Sequence, residues 1–200
     1  MLHFKTPSLH SAINFQIGRR IKNKEAGVTN TQVAIVTLVG VILLLGSLGG
    51  FQYIGQAKVS NEIATLSDLR AATVRYGQFA GTFTSTNVTV PILAGFNFFA
   101  SSGLSVSGTG TTTAVANQWG GTVTPSVGTS ATLGDSITFT FSGVSSSACK
   151  ELGTKVDKLA STVSINSVQT KAVGAATLAA GVLTNCKATD DNSVAYTFLR

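Results

Sequence analysis

Residues 23–51 read NKEAGVTNTQVAIVTLVGVILLLGSLGGF. A basic segment stops at a glycine, a polar tetrad follows, and an uncharged run begins. From Val28 to Ala57 no side chain is charged, and Lys58 is the next that is. Val33 to Phe51 alone is 19 residues, which as an α-helix rises about 28 Å at about 1.5 Å per residue and matches the roughly 30 Å of a bilayer core. The stretch predicts a membrane-crossing helix, and the rest of the chain is read outward from it.

The formal charge of +6 over 200 residues divides unevenly. The first 27 residues hold Lys5, Arg19, Arg20, Lys22 and Lys24 against Glu25, a net +4, and the remainder holds +2. Cations packed just before a membrane helix keep that end in the cytoplasm, so the body is expected to be exported. Direct nucleic-acid binding is not expected, because the body lacks clustered Lys and Arg interleaved with aromatics. Two hundred residues suit one modest domain with accessories.

An ordinary secretory signal places its small-residue cleavage site after 7 to 15 apolar residues. Here the run is longer, starts some 30 residues in, and no convincing site follows it. A cut before the run fits better: Gly27 ends the basic leader (1–27) and Val28 becomes the first residue of the product. Cys149 and Cys186, the only cysteines, lie in the exported body. An even count in an oxidising compartment reads as one disulfide. Closing that 37-residue separation would stabilise by roughly 4 kcal/mol in the chain-entropy model.

A basic leader ending in glycine, an uncharged helix and a C-terminal cysteine pair resemble a type IV prepilin. The long leader and the non-Phe first residue resemble the class B, or type IVb, branch of major pilins. The segments NQWGG (117–121), SITFTFSGVSSSACKEL (136–152) and NCKATDDNSVAYTF (185–198) are similar in order to that family. The resemblance implies an α+β fold, with a long N-terminal helix packed on an antiparallel β-sheet head. It implies cleavage between Gly27 and Val28 by a prepilin peptidase, with N-methylation of the new terminus. It further implies inner-membrane residence as a precursor with a cytoplasmic N-terminus. Homo-oligomeric assembly by the pilus machinery into an extracellular helical filament would follow, for adhesion, aggregation or DNA-transfer-related contact. Val28 to Phe51, with Gln32, Val33, Leu38, Leu43 and Phe51 among them, would carry assembly. One residue departs from the pattern. The fifth mature position, usually Glu, is Gln32, and an amide can hydrogen-bond a neighbour's terminal ammonium but cannot neutralise it.

Beyond the apolar run, Val59, Ile63, Leu66, Leu69, Thr73, Tyr76 and Phe79 recur at steps of three and four, an amphipathic stripe. Lys58 and Glu62 form an i,i+4 pair expected on the other face. One helix is expected from about Thr29 to Phe79, ending near Gly81, its 28–57 half for membrane and assembly and its 58–80 half for the head. Gly46, Gly49 and Gly50 are expected either to permit close helix approach or to mark a bend, or to be tolerated small residues. Residues 81–200 form the α+β head. Ile137, Phe139 and Phe141 alternate with threonines, as Val194, Tyr196 and Phe198 do with Ala195 and Thr197, so both segments read as half-buried antiparallel strands. Cys149, Leu152, Val156 and Leu159 fit one helical face, with Ser145 to Ser147 as cap candidates. Segments 107–114 and 128–134 read as loops.

Catalysis is not expected, nor a cofactor. The two histidines, His3 and His10, lie in the leader, so the processed body has none for a triad or a His metal site. Asp190 and Asp191 read as a solvated turn rather than a metal site. Asn87-Val88-Thr89 matches a glycosylation sequon. Trp119 reads as a turn anchor, with a surface contact as the alternative. Arg70 and Arg75 are candidates for contact with acidic groups on adjacent heads. Two other assignments remain open: a minor pilin or secretion pseudopilin, and an uncleaved membrane-anchored exported binding module.

Overall fold

In this computed structural model the backbone of residues 30–200 and the side chains of residues 55–200 are described. Helix α1 (Asn30–Ala80) is one run of 51 residues, within a residue of the expected bounds, and Gly46, Gly49 and Gly50 are helical within it. It stops at Gly81, whose positive φ of 66° lets its N–H turn back to the Gly77 carbonyl at 3.0 Å. A left-handed glycine just past the last turn is the commonest helix stop. Residues Gln52–Arg200 form one compact unit. Among the described residues no helix is long and apolar enough to cross a membrane. The side chains of the 33–51 run lie outside them.

The head half of α1 buries Val59, Leu66, Leu69, Thr73 and Tyr76, the stripe expected from spacing. Two positions differ. Phe79 is 83% exposed, and Glu62 is buried at 1% exposure rather than facing solvent with Lys58. Glu62 lies between Leu66 and Leu69 on the wheel, so the buried stripe encloses it. Phe79 projects about 60° beyond Tyr76, off the edge of the buried face.

Helix α2 (Val90–Gly95), with a proline in its first turn, buries Leu93. Strands β1 (Ser105–Ser107) and β2 (Ala114–Ala116) form a two-stranded antiparallel ribbon around a short 3-10 turn, Gly110–Thr112. The main sheet contains β3 (Val123–Thr129), β4 (Leu133–Val144), β5 (Thr162–Ile165), β6 (Val168–Lys171) and β7 (Asn192–Leu199). Its order is β3-β4-β7-β5-β6, and every neighbouring pair is antiparallel. The segments expected as loops are shorter than anticipated: β1, β2, β3 and β4 each run a residue or two into them. Ladder hydrogen bonds are made by the backbone, so pairing continues past the point where side-chain alternation stops.

The two alternating segments pair with each other, Ile137 opposite Phe198, Phe139 opposite Tyr196 and Phe141 opposite Val194. All six are at most 1% exposed. An aromatic chain joins this face to α1. Tyr76 meets Phe98 at 6.1 Å between ring centroids, Phe98 meets Phe139 at 5.5 Å, and Phe139 meets Phe198 at 6.1 Å. Such pairs add about 0.5–1.5 kcal/mol beyond their area burial.

Helix α3 (Ser146–Lys155) starts at Ser145, whose hydroxyl accepts from the Ala148 N–H. It ends sooner than the apolar spacing implies: Val156 is its C-cap, so Leu159 meets the core from the following turn. Helix α4 (Ala179–Asn185) precedes Cys186.

Leu69 is fully buried, and Leu69→Ala should lower the unfolding free energy by about 2–5 kcal/mol. Phe79→Ala, at a solvent-facing position, should change it by no more than about 0.5 kcal/mol. Urea unfolding of the detergent-solubilised full chain measures both.

Candidate functional site

The turn at NQWGG positions the most unusual group in the head. Asn117 is the hub. Its Oδ1 accepts from the Trp119 and Gly121 N–H groups at 2.9 and 3.0 Å, and its Nδ2 donates to the Ser142 carbonyl at 2.8 Å. A Cβ on Gly121 would lie 1.8 Å from that same carbonyl oxygen, so no other residue fits there. Gly120 takes a φ of 83°. Trp119 is half-buried and packs on the core, a turn anchor. The turn delivers Gln118 to α1, where its Nε2 donates to Glu62 Oε2 at 2.9 Å and to the Lys58 carbonyl.

Glu62 Oε1 is buried with no hydrogen-bond partner, and the Tyr196 hydroxyl, from β7, is in the same condition. An unsatisfied buried polar atom costs about 1–3 kcal/mol, more when charged. Burial pushes the Glu62 carboxyl up to about 7, against the opposing hydrogen bond from Gln118. Burial also pushes the Tyr196 phenol well above its ordinary value, and the Glu62 charge adds to it. Glu62 lines a cleft of about 440 Å³ together with Asp68, Thr65, Ser102 and Gln118. Thr65 Oγ1 donates to the Ser102 carbonyl at 2.5 Å, which ties the far wall to α1. Asp68 is half-buried. The cleft carries two carboxyl groups, those of Glu62 and Asp68.

The second built region surrounds the cysteines. Cys149, in α3, is bonded to Cys186, directly after α4, with Cα atoms 5.9 Å apart. The bridge joins two helices, and the loop behind it is held by Asn192 at the start of β7. The fully buried Asn192 donates to the Thr189, Lys187 and Val144 carbonyls and accepts from the Lys187 N–H and the Asn166 amide.

The remaining expected sites fall as follows. Gly27 and Val28, and the side chains of Gln32, Val33, Leu38, Leu43 and Phe51, lie outside the described residues. Asp190 and Asp191 are exposed, and Asp190 accepts from the Ser146 N–H at 3.3 Å, a carboxylate at a helix N-terminus. Among the described residues no group of three or more His, Cys, Asp or Glu is placed to hold a metal. The Asn87 side chain is engaged with its own turn, accepting from the Thr84 N–H and donating to the Thr82 carbonyl. Arg70 is exposed and donates to the Lys158 carbonyl at 3.3 Å; Arg75 is exposed. Sequence spacing did not single out the Glu62 cleft. The signal available was a glutamate at a stripe position, flanked by Val59 and Leu66.

A long helix packed on an antiparallel sheet, with a disulfide closing the C-terminal region, defines a pilin-like fold. A family model described as "PilS N terminal" matches residues 71–199, and the chain belongs to that family. Among solved structures, it is similar to the type IV b pilin from Salmonella typhi, at 18% identity and a TM-score of 0.56 over 70% of this chain and 99% of that one. It is also similar to TcpA, a type IV pilin from the Vibrio cholerae El Tor biotype, at 13% identity and a TM-score of 0.52 over 70% of this chain and 98% of that one. The fold is that of type IVb pilins. No curated protein sequence matches the chain.

The pH dependence of stability contains opposite contributions from Glu62 and Asp135. Asp157, held below its ordinary value by hydrogen bonds from the Thr177 hydroxyl and N–H, acts in the same direction as Asp135. Glu62 is raised from 4.5 to about 7, so the folded state holds its proton more tightly than the unfolded chain. That stabilisation is complete below pH 4.5 and is lost as pH rises through 7, a change of about 3 kcal/mol. For Asp135, burial is outweighed by donation from the Thr132, Ala131 and Ser130 N–H groups and the Ser136 hydroxyl, which holds it well below the usual range. Its stabilisation is present above about pH 4 and lost as the medium becomes more acidic. Denaturant midpoints measured from pH 2 to 8 should peak between 4 and 5, and Glu62→Gln should flatten the alkaline limb alone.

Proposed function

We propose that this protein is the structural subunit of a type IVb pilus. The observation that carries the reading is the division of α1. Residues 58–80 hold the head through a buried stripe, while the preceding half is an uncharged run with no place in a globular core. A prepilin peptidase cuts between Gly27 and Val28 and removes the basic leader, and the new terminus is methylated. Before the cut the chain resides in the inner membrane with its N-terminus in the cytoplasm.

Assembly is an exchange of surroundings. Val28 to Phe51, including Val33, Leu38, Leu43 and Phe51, leaves lipid and packs against the same segment of other copies. Hydrocarbon already solvates leucine and isoleucine, so the preference comes from close packing, which small residues such as Gly46, Gly49 and Gly50 allow. Gln32 supplies a hydrogen bond to a neighbouring terminal amine where a carboxylate would supply a counter-charge. The Cys149–Cys186 bridge braces the outer surface of a homo-oligomeric filament outside the cell. The protein has no catalytic role, and the processed chain contains no histidine.

Material sheared from cells should contain this polypeptide with Val28 as its first residue, by intact mass and N-terminal sequencing. Gly27→Leu should leave the precursor at full length and abolish its appearance in the sheared fraction. A mature species that begins at Met1 would overturn the proposal.

A further inference from the structure

Two flanks of α1 carry opposite charge. At about 100° per residue, Asp68 and Arg70, two positions apart, project about 200° from one another. Asp68 faces the cleft floored by Glu62. Arg70 faces the opposite edge of the head, where its guanidinium rests beside Lys158 through one hydrogen bond of 3.3 Å to the Lys158 carbonyl. Both cations are exposed. Neither Asp68 nor the Lys158 ammonium has a hydrogen-bond or ion-pair partner among the described residues. Glu62 also lines the cleft, with its Oε2 accepting from Gln118 and its Oε1 buried.

We propose that the acidic cleft is a docking site for a second copy of this chain, and that Arg70, with Lys158 beside it, is the group that occupies it. The contact rests on the filament reading. Copies stacked side by side with parallel α1 helices present opposite flanks to each other, so a cleft on one flank and a cation on the other meet between every pair. Different patches that complement each other make a heterologous contact, and when the operation does not close, the product is an open helical filament. A guanidinium supplies several donors in one plane, matched to the Asp68 carboxylate in the cleft wall. Arg75 cannot play this part. It lies seven residues beyond Asp68, nearly two full turns, and therefore on the same flank as the cleft. Glu62 and Asp68 precede Arg70 by eight and two residues, so contacting copies are displaced along α1 by about 3 to 12 Å.

The test uses the full chain in cells that make the filament. Asp68→Arg and Arg70→Asp should each lower the yield of sheared filament about tenfold or more, and the two together should restore it to within about threefold. Asp68→Cys with Arg70→Cys gives a readout that does not depend on yield. The two side chains point apart on one helix and cannot bridge within a copy, so the double variant should run as a ladder of multimers on a non-reducing gel, and each single variant as monomer. Filaments at normal yield in both reversals, or only monomer in the double-cysteine filaments, would overturn the contact and leave the filament reading standing. A ladder or dimer from Asp68→Cys with Arg75→Cys instead would assign the cleft to an antiparallel pair and overturn the proposal. Absence of the unaltered polypeptide from sheared filaments would overturn the filament reading itself.

Discussion

An amphipathic helix has one apolar stripe to bury and a half-exposed sheet has one apolar face, and in this head each is the other's solution. Tyr76 on α1, Phe98 in the following loop, Phe139 on β4 and Phe198 on β7 stand in successive contact. Burying one such ring contributes about 1.5–3 kcal/mol, and the chain of rings crosses every layer of the head. The remaining pieces are arranged around this seam. The loop 96–104 closes over it, and the NQWGG turn reaches back to α1 from the other side of the sequence.

Against that economy Glu62 stands out as a cost. A carboxyl at 1% exposure, with one oxygen paired to Gln118 and the other paired to nothing, is destabilising relative to an apolar residue of the same shape. Its neighbour across the core, the Tyr196 hydroxyl, is equally unsatisfied. Residues that break the local rules of packing are expected where a protein binds something. The cleft beside Glu62 opens on the flank of α1, where a neighbouring copy would approach.

The C-terminal region follows a different logic. Short elements, β5, β6 and α4, bury few large side chains, and they are held by the buried disulfide and by Asn192, whose side chain organises the 187–192 loop. A covalent bridge and a polar hub replace the apolar mass that such short elements cannot supply. The loops of this region are thereby kept in place.

Much of this was legible in the chain itself. The steps of three and four from Val59 to Tyr76, and the alternation in 137–141 and 194–198, specify the helix and two strands because burying one face imposes its period on the sequence. Ser145 as a cap and Gly81 as a stop were readable for the same local reason, as was the cysteine pairing from its count. Only the tertiary structure decided that β7 lies between β4 and β5, since strand order depends on which faces meet and leaves no periodic mark. It also decided that Glu62 is buried and Phe79 is not. Spacing gives the direction in which a side chain points, but what stands opposite, Gln118 brought from 56 residues away or open solvent, is set by the fold.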